Sequence, residues 1–214
     1  MNAEVGFPQT TNFTTSDGFE LEAEFLLPAQ IQAIAVLSHP HPLYGGDMRN
    51  NIIQSLFESL PESSIGTLRY NFRGAGVSEG THGKGELERL DAEAAFTYAA
   101  SLGGSIPTIS VGYSFGADVS LSTDHSNLAG WVGIAAPLSL LKPQQMPAGH
   151  DERPTLLLVP QHDQYRSPDE AATISHSWDS TSLSIIDGGD HFLMGRSKPV
   201  SEATAAFVKK IIDS

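Results

Sequence analysis

The stretch Ile109-Ser110-Val111-Gly112-Tyr113-Ser114-Phe115-Gly116-Ala117-Asp118-Val119-Ser120-Leu121 decides how this chain is read. An apolar run enters a Gly-x-Ser-x-Gly pentapeptide and a helix-compatible run leaves it, the pattern of a strand, a sharp turn and a helix. In such a turn the serine takes a strained backbone conformation. Small residues two before and two after it are required, because strand and helix approach too closely there for larger side chains. Ser114 is thereby expected above the end of a sheet, at the positive end of a helix. The pentapeptide alone is weak, since Gly76-Val77-Ser78-Glu79-Gly80 matches it too. That copy continues into Thr81-His82-Gly83-Lys84-Gly85, where no helix can start directly after the serine, and it reads as a loop.

On the N-terminal side of the pentapeptide, Asp17-Gly18 is a hairpin signal followed by Phe19 to Leu27, where apolar residues alternate with glutamates as in a half-exposed antiparallel strand. Ile31 to Leu37 is a nearly continuous apolar run suited to a strand buried on both faces. A helix is expected from about Asp47 to Leu60, ended by Pro61, then a strand from Ile65 to Phe72 and a helix through Leu87, Leu90, Ala94, Phe96 and Tyr98, stopped by Gly103-Gly104. Beyond Ser114 its helix is expected to reach about His125. Strands follow at Leu128 to Ala135, Thr155 to Val159 and Leu183 to Ile186, with helices from about Pro168 to Trp178 and Val200 to Ile212. This alternation implies one α/β domain over residues 1–214, with a mostly parallel central sheet, helices on both faces and antiparallel strands at its N-terminal side. Ligands of such sheets bind outside the carboxyl ends of the strands.

Ser114 needs a base, and the base needs a carboxylate that holds its tautomer. His191, in Gly188-Gly189-Asp190-His191-Phe192, is expected in the loop between the last strand and the last helix. Asp163 directly follows the preceding strand. Its rivals Asp187 and Asp190 read as turn residues bonded to local backbone, and Leu138-Ser139-Leu140-Leu141 offers no carboxylate at the other usual position. The order Ser114, Asp163, His191 is that of α/β-hydrolases and not of the chymotrypsin or subtilisin types. An oxyanion hole needs backbone N–H groups. One is expected from Phe115 and the second from the loop after Leu37, where Pro40 and Pro42 have none to give; of His41 and Leu43, His41 follows the strand end. Tyr44 and Tyr113 are expected to line the substrate pocket. His39 and His41 could face one way as a metal pair, but no further ligand follows at a suitable spacing, so no metal and no cofactor are expected. His82, His125, His150, His162 and His176 read as solvent or packing residues, and Asn71 and Arg73 as loop organisers.

Composition narrows the partners. The chain has 25 acidic and 12 basic residues, a formal net charge of −13, which argues against nucleic acid and anionic membrane surfaces. No cysteine is present, so disulfides and a thiol nucleophile are excluded. Residues 1–18 show no basic start and no apolar core, and no run approaches the roughly 18 apolar residues of a membrane span. A cytoplasmic protein without membrane insertion is the expectation; the oligomeric state is open.

The blocks His39-Pro40-His41-Pro42-Leu43-Tyr44-Gly45-Gly46, Arg69 to Gly80, Gly85-Glu86 with Asp91, Gly112 to Ala117 and Asp190-His191-Phe192 together resemble the small, lidless bacterial α/β-hydrolases related to dienelactone hydrolases. The resemblance spans roughly residues 20 to 212. It implies a serine hydrolase, with Ser114 as nucleophile, His191 as base and Asp163 as its acid, and Phe115 and the His41 region as oxyanion donors. The substrate implied is a small-molecule ester, with a peptidase, an acyltransferase or a non-catalytic binding protein as alternatives. Members of that family commonly carry a glycine two residues before the aspartate, where this chain has Gln161, and dienelactone hydrolases use cysteine, so their substrate does not transfer. The connection from Pro137 to Arg153 is too short for a cap domain.

Overall fold

A computed structural model describes residues 5–214. Eight strands form one sheet: β1 (Gln9–Thr14), β2 (Glu20–Leu26), β3 (Ala33–Ser38), β4 (Ile65–Tyr70), β5 (Thr108–Tyr113), β6 (Leu128–Ile134), β7 (Thr155–His162) and β8 (Thr181–Asp190), in the order β1-β2-β4-β3-β5-β6-β7-β8. β1 pairs antiparallel with β2, and β2 with β4; every other pairing is parallel. The alternation read over Phe19–Leu27 is β2, and the turn before it closes with the Phe19 N–H donating to the Thr15 side chain at 3.0 Å.

The helices α1 (Asn51–Ser59), α2 (Glu88–Gly103), α3 (Phe115–Leu121), α4 (Pro168–Ser175) and α5 (Ser197–Ile212) cover the two faces. α2 and α3 pack with Ile34, Val36, Leu68, Tyr70 and Trp131 on one side of the sheet; α1 and α5 pack with Ala35, Leu37, Ile109, Val111 and Ile134 on the other. β3 and β5 are buried throughout, as strands sandwiched between helical layers must be. The segment Pro137–Arg153 adds no cap. It holds two short 3₁₀ turns, and Met146 and Ala148 dock into the first core. Among the described residues no helix is long and apolar enough to cross a membrane.

Several boundaries differ from the sequence expectation, each for a physical reason. α1 starts at Asn51 because the Asn50 side chain accepts from the Ile52 N–H at 3.0 Å, and Pro61 lies inside a 3₁₀ turn that prolongs the helix end. In α2 the buried stripe is Glu88, Asp91, Ala92, Ala95, Phe96 and Ala99, while Leu87 is exposed. α3 ends at Leu121, before the turn formers Asp124 to Asn127. The widest difference is β8, which reaches Asp190 because its pairing with β7 resumes at His162↔Asp190 beyond an irregularity. His191 therefore leaves directly from a strand end.

Two networks brace the chain near this edge of the sheet. The Arg73 guanidinium spans Asp17 (2.8 and 3.0 Å) and Asp91 (2.8 Å), locking the loop after β4 to the β1–β2 turn. Ser78, in the second pentapeptide, donates to the Asn71 carbonyl at 2.8 Å and accepts from the Glu22 N–H at 3.0 Å. It is a loop residue with both sides of its hydroxyl engaged.

Candidate active site

The backbone places Ser114 between β5 and α3 at φ 53° and ψ −119°, a conformation unfavourable for any residue with a Cβ. The glycines around it leave no room for substitution. A Cβ on Gly112 would lie 2.2 Å from the Gly116 carbonyl oxygen, and one on Gly116 2.3 Å from the Ser38 oxygen and 2.5 Å from that of His39. The second of these contacts seats the turn against the end of β3, next to the Pro-His-Pro segment.

Three predicted residues meet here although 28 to 77 positions separate them in sequence. Ser114 Oγ is 2.9 Å from His191 Nε2. His191 Nδ1 lies 3.0 Å from Asp163 Oδ1 and 2.9 Å from Oδ2. The carboxylate of Asp163 is fully buried and also accepts the N–H groups of Tyr165 (2.8 Å) and Arg166 (3.1 Å) through Oδ1. An ionised carboxylate bonded to Nδ1 makes that nitrogen the donor and leaves Nε2 free to accept from the serine. Asp190, by contrast, accepts the Leu193 N–H at 3.0 Å and closes a turn. Gln161, expected from the family resemblance to be a departure in this loop, accepts the Gly188 N–H at 2.8 Å and ties the end of β7 to β8.

The N–H groups of His41 and Phe115 make no hydrogen bond to a protein acceptor among the described residues, whereas those of Tyr44, Gly45 and Gly46 close the local turn and that of Leu43 donates to His41 Nδ1. The rings of His41 and Phe115 lie 4.7 Å apart. His39 is fully buried, with Nδ1 2.6 Å from the Pro40 oxygen and Nε2 accepting from the Phe72 N–H at 3.0 Å. Both its nitrogens are committed to backbone, and no group of three metal-ligating side chains occurs among the described residues.

The serine opens into a cavity of about 370 Å³ whose walls include His41, Tyr44, Tyr113, Phe115, Leu140, Tyr165 and Phe192. Tyr44 stands 87% exposed at its mouth. Tyr113 does more than line it: its buried hydroxyl donates to the His191 carbonyl at 2.8 Å, and burial raises its pKa, with the charges of Asp163 and Asp190 adding to the effect. Several contributors were missed from sequence. Gln164 accepts the His191 N–H at 3.1 Å, and the Tyr165 ring lies 4.4 Å from the imidazole. His82, read as a packing or solvent residue, sits 4.7 Å ring to ring from His41, with Nδ1 2.8 Å from the buried carboxylate of Glu88. No sequence pattern announces such second neighbours. A cleft of about 410 Å³ between β1 and α2 contains no comparable group of nucleophile and base.

Two buried groups near the site titrate with opposite consequences. Burial lowers His39 from 6.5 to about 4, partly offset by its bond to the Pro40 carbonyl; protonating Nε2 would also turn a proton against the Phe72 N–H. A depressed histidine pKa contributes stability present above 6.5 and lost as pH falls toward 4. Burial raises Asp118 from 3.8 to about 6, against the lowering by the N–H groups of Leu140, Leu138 and Ser139. A raised carboxylate pKa contributes stability present below 3.8 and lost as pH rises through 6. Between pH 7 and pH 5 the two oppose each other. Asp118→Asn is therefore expected to lose about 1 kcal/mol more than the parent protein over that interval in urea unfolding; parallel slopes would contradict it.

No family model matches the sequence. An uncharacterized protein of Rickettsia prowazekii is 27% identical over 187 residues, covering 79% of this chain and 76% of its own. Among solved structures, an α/β serine hydrolase without a lid from Xanthomonas campestris superimposes with TM-score 0.84 at 22% identity, covering 95% of this chain and 94% of its own. An esterase from Pyrococcus furiosus superimposes with TM-score 0.79 at 17% identity, covering 95% and 92%. With its single mixed sheet, the serine turn after β5 and no inserted cap, this chain has the α/β-hydrolase fold in its small, lidless form.

Proposed function

We propose that the protein is a serine hydrolase acting on carboxylic esters. The observation that carries this reading is the continuous chain Ser114 Oγ to His191 Nε2, and His191 Nδ1 to Asp163, at 2.9 Å in each link. Ser114 Oγ attacks the ester carbonyl while His191 Nε2 takes its proton; Asp163 holds the Nδ1–H and stabilises the imidazolium. The N–H groups of His41 and Phe115, with no protein acceptor among the described residues, are the donors offered to the oxyanion. His191 then returns the proton to the departing alcohol, leaving an acyl group on Ser114. Water enters with His191 as base, and the carboxylic acid leaves. The solved neighbours described as a serine hydrolase and an esterase support the class.

The test is covalent labelling. A fluorophosphonate probe is expected to modify the folded protein at Ser114, located by peptide mass spectrometry, and p-nitrophenyl acetate is expected to turn over. Absence of label on folded protein would remove the reading and favour a binding protein on a hydrolase fold.

A further inference from the structure

Asp118 lies in the first turn of α3, a helix in which every residue is buried. The hydrolytic chemistry makes no use of it, yet its carboxylate is fully engaged. Oδ1 accepts the Leu138 N–H at 2.8 Å, and Oδ2 accepts the N–H groups of Ser139 at 3.1 Å and Leu140 at 2.9 Å. Arg166 is nearby but donates its Nε–H to the Pro137 carbonyl at 2.8 Å. A buried carboxylate is costly unless donors converge on it. Here three successive N–H groups do so because the chain passes through left-handed conformations at Ala135 (φ 46°) and Leu138 (φ 52°).

The clamped segment is part of the cavity. Leu138 is buried in the core, while Pro137, Ser139 and Leu140 line the space beside Ser114. No Asp, Glu, Lys or Arg lines it; its ionisable side chains besides tyrosine are His41, beside the serine turn, and His191, which is engaged with Ser114 and Asp163. Leu140, Tyr165 and Phe192 are 42%, 62% and 56% exposed at the cavity, a largely apolar surface with no cover among the described residues. The occupant that chemistry fits is the apolar part of a neutral ester.

We infer that Asp118 is a positioning residue for specificity: by holding residues 138–140 it sets Leu140 as a wall for the apolar acyl group of a neutral ester. The inference rests on the hydrolase reading above. Asp118→Asn keeps the shape but exchanges one acceptor oxygen for an amide that opposes the facing N–H groups, which frees part of the segment. Leu140→Ala removes the wall itself.

The experiment compares p-nitrophenyl hexanoate with acetate for the full chain, for Asp118→Asn, for Leu140→Ala and for the double variant. Each single substitution is expected to lower the hexanoate-to-acetate ratio of kcat/KM by about tenfold, with the loss in the KM for hexanoate. The double variant is expected to fall no further than either single one, because both act on one wall. Equal losses on both esters, an unchanged ratio, or effects that multiply would overturn the inference. If Asp118→Asn does not fold, as judged by circular dichroism, Leu140→Ala alone decides: an unchanged ratio overturns it. Fluorophosphonate labelling of the parent protein separates the two levels. A labelled protein with unaltered selectivity in the variants sinks only the role of Asp118, whereas an unlabelled one sinks the hydrolase reading beneath it.

Discussion

Replacing Ser114 by alanine is expected to lower kcat for p-nitrophenyl acetate by about 10⁴- to 10⁶-fold and to abolish fluorophosphonate labelling, with the fold retained. The size of the effect follows from the geometry. Ser114 Oγ is the oxygen held 2.9 Å from the imidazole, and the other serine in a Gly-x-Ser-x-Gly setting, Ser78, is tied by its hydroxyl to the backbone of residues 71 and 22. No second nucleophile of that kind is therefore in reserve. The residual rate would come from binding and from the N–H groups offered to the oxyanion. Folding should be preserved because removal of one hydroxyl from a part-buried position leaves the glycine contacts of the turn intact and relieves none of its strain. A turnover number within tenfold of the parent protein would exclude Ser114 as nucleophile.

Asp163→Asn is expected to cost about 10⁴-fold in kcat, with a smaller effect on KM. Both carboxylate oxygens are within 3.0 Å of His191 Nδ1, so the histidine is held with its proton on that nitrogen. An asparagine amide can present its own N–H to Nδ1 and thereby stabilise the other tautomer. Nε2 would then carry a proton toward Ser114 and could not accept one. The backbone bonds from Tyr165 and Arg166 give an asparagine oxygen an acceptor role already waiting, which favours the turned amide. Full activity in this variant, measured as initial rates across pH 6 to 9, would assign the orienting role elsewhere.

Much of this arrangement is legible in local sequence. The glycines of the serine turn are legible as a motif, although what demands Gly116 is the distant backbone of Ser38 and His39, and Asp163 and His191 each sit one residue beyond a strand end, so chain order and the sheet edge bring them together. Other features are hidden because they depend on partners far along the chain. β8 runs on to Asp190 only because β7 supplies a pairing surface past its irregularity, and nothing in Asp187-Gly188-Gly189 signals a strand. Likewise the buried face of α2 combines Ala92, Ala95, Phe96 and Ala99 with the carboxylates of Glu88 and Asp91, while the apolar Leu87, just before the helix, is left outside. Asp118 carried a faint signal: an ionisable residue in a short helix otherwise suited to complete burial must find donors, though which donors cannot be read locally.

The sequence by itself determined the order of elements, the strained turn at Ser114 and that Ser114, Asp163 and His191 would meet there. These follow from periodicity, turn chemistry and the rule that an α/β sheet presents its loops along one edge. Tertiary structure alone decided the assignments that are matters of distance: the hydroxyl of Tyr113 committed to the His191 carbonyl, Gln164 holding the same residue by its N–H, and Asp118 gathering the N–H groups of 138–140. The physical reason is that hydrogen bonds act over about 3 Å between groups that chain folding brings together. A pattern in sequence can place a residue on an edge, but only packing determines which atom it faces.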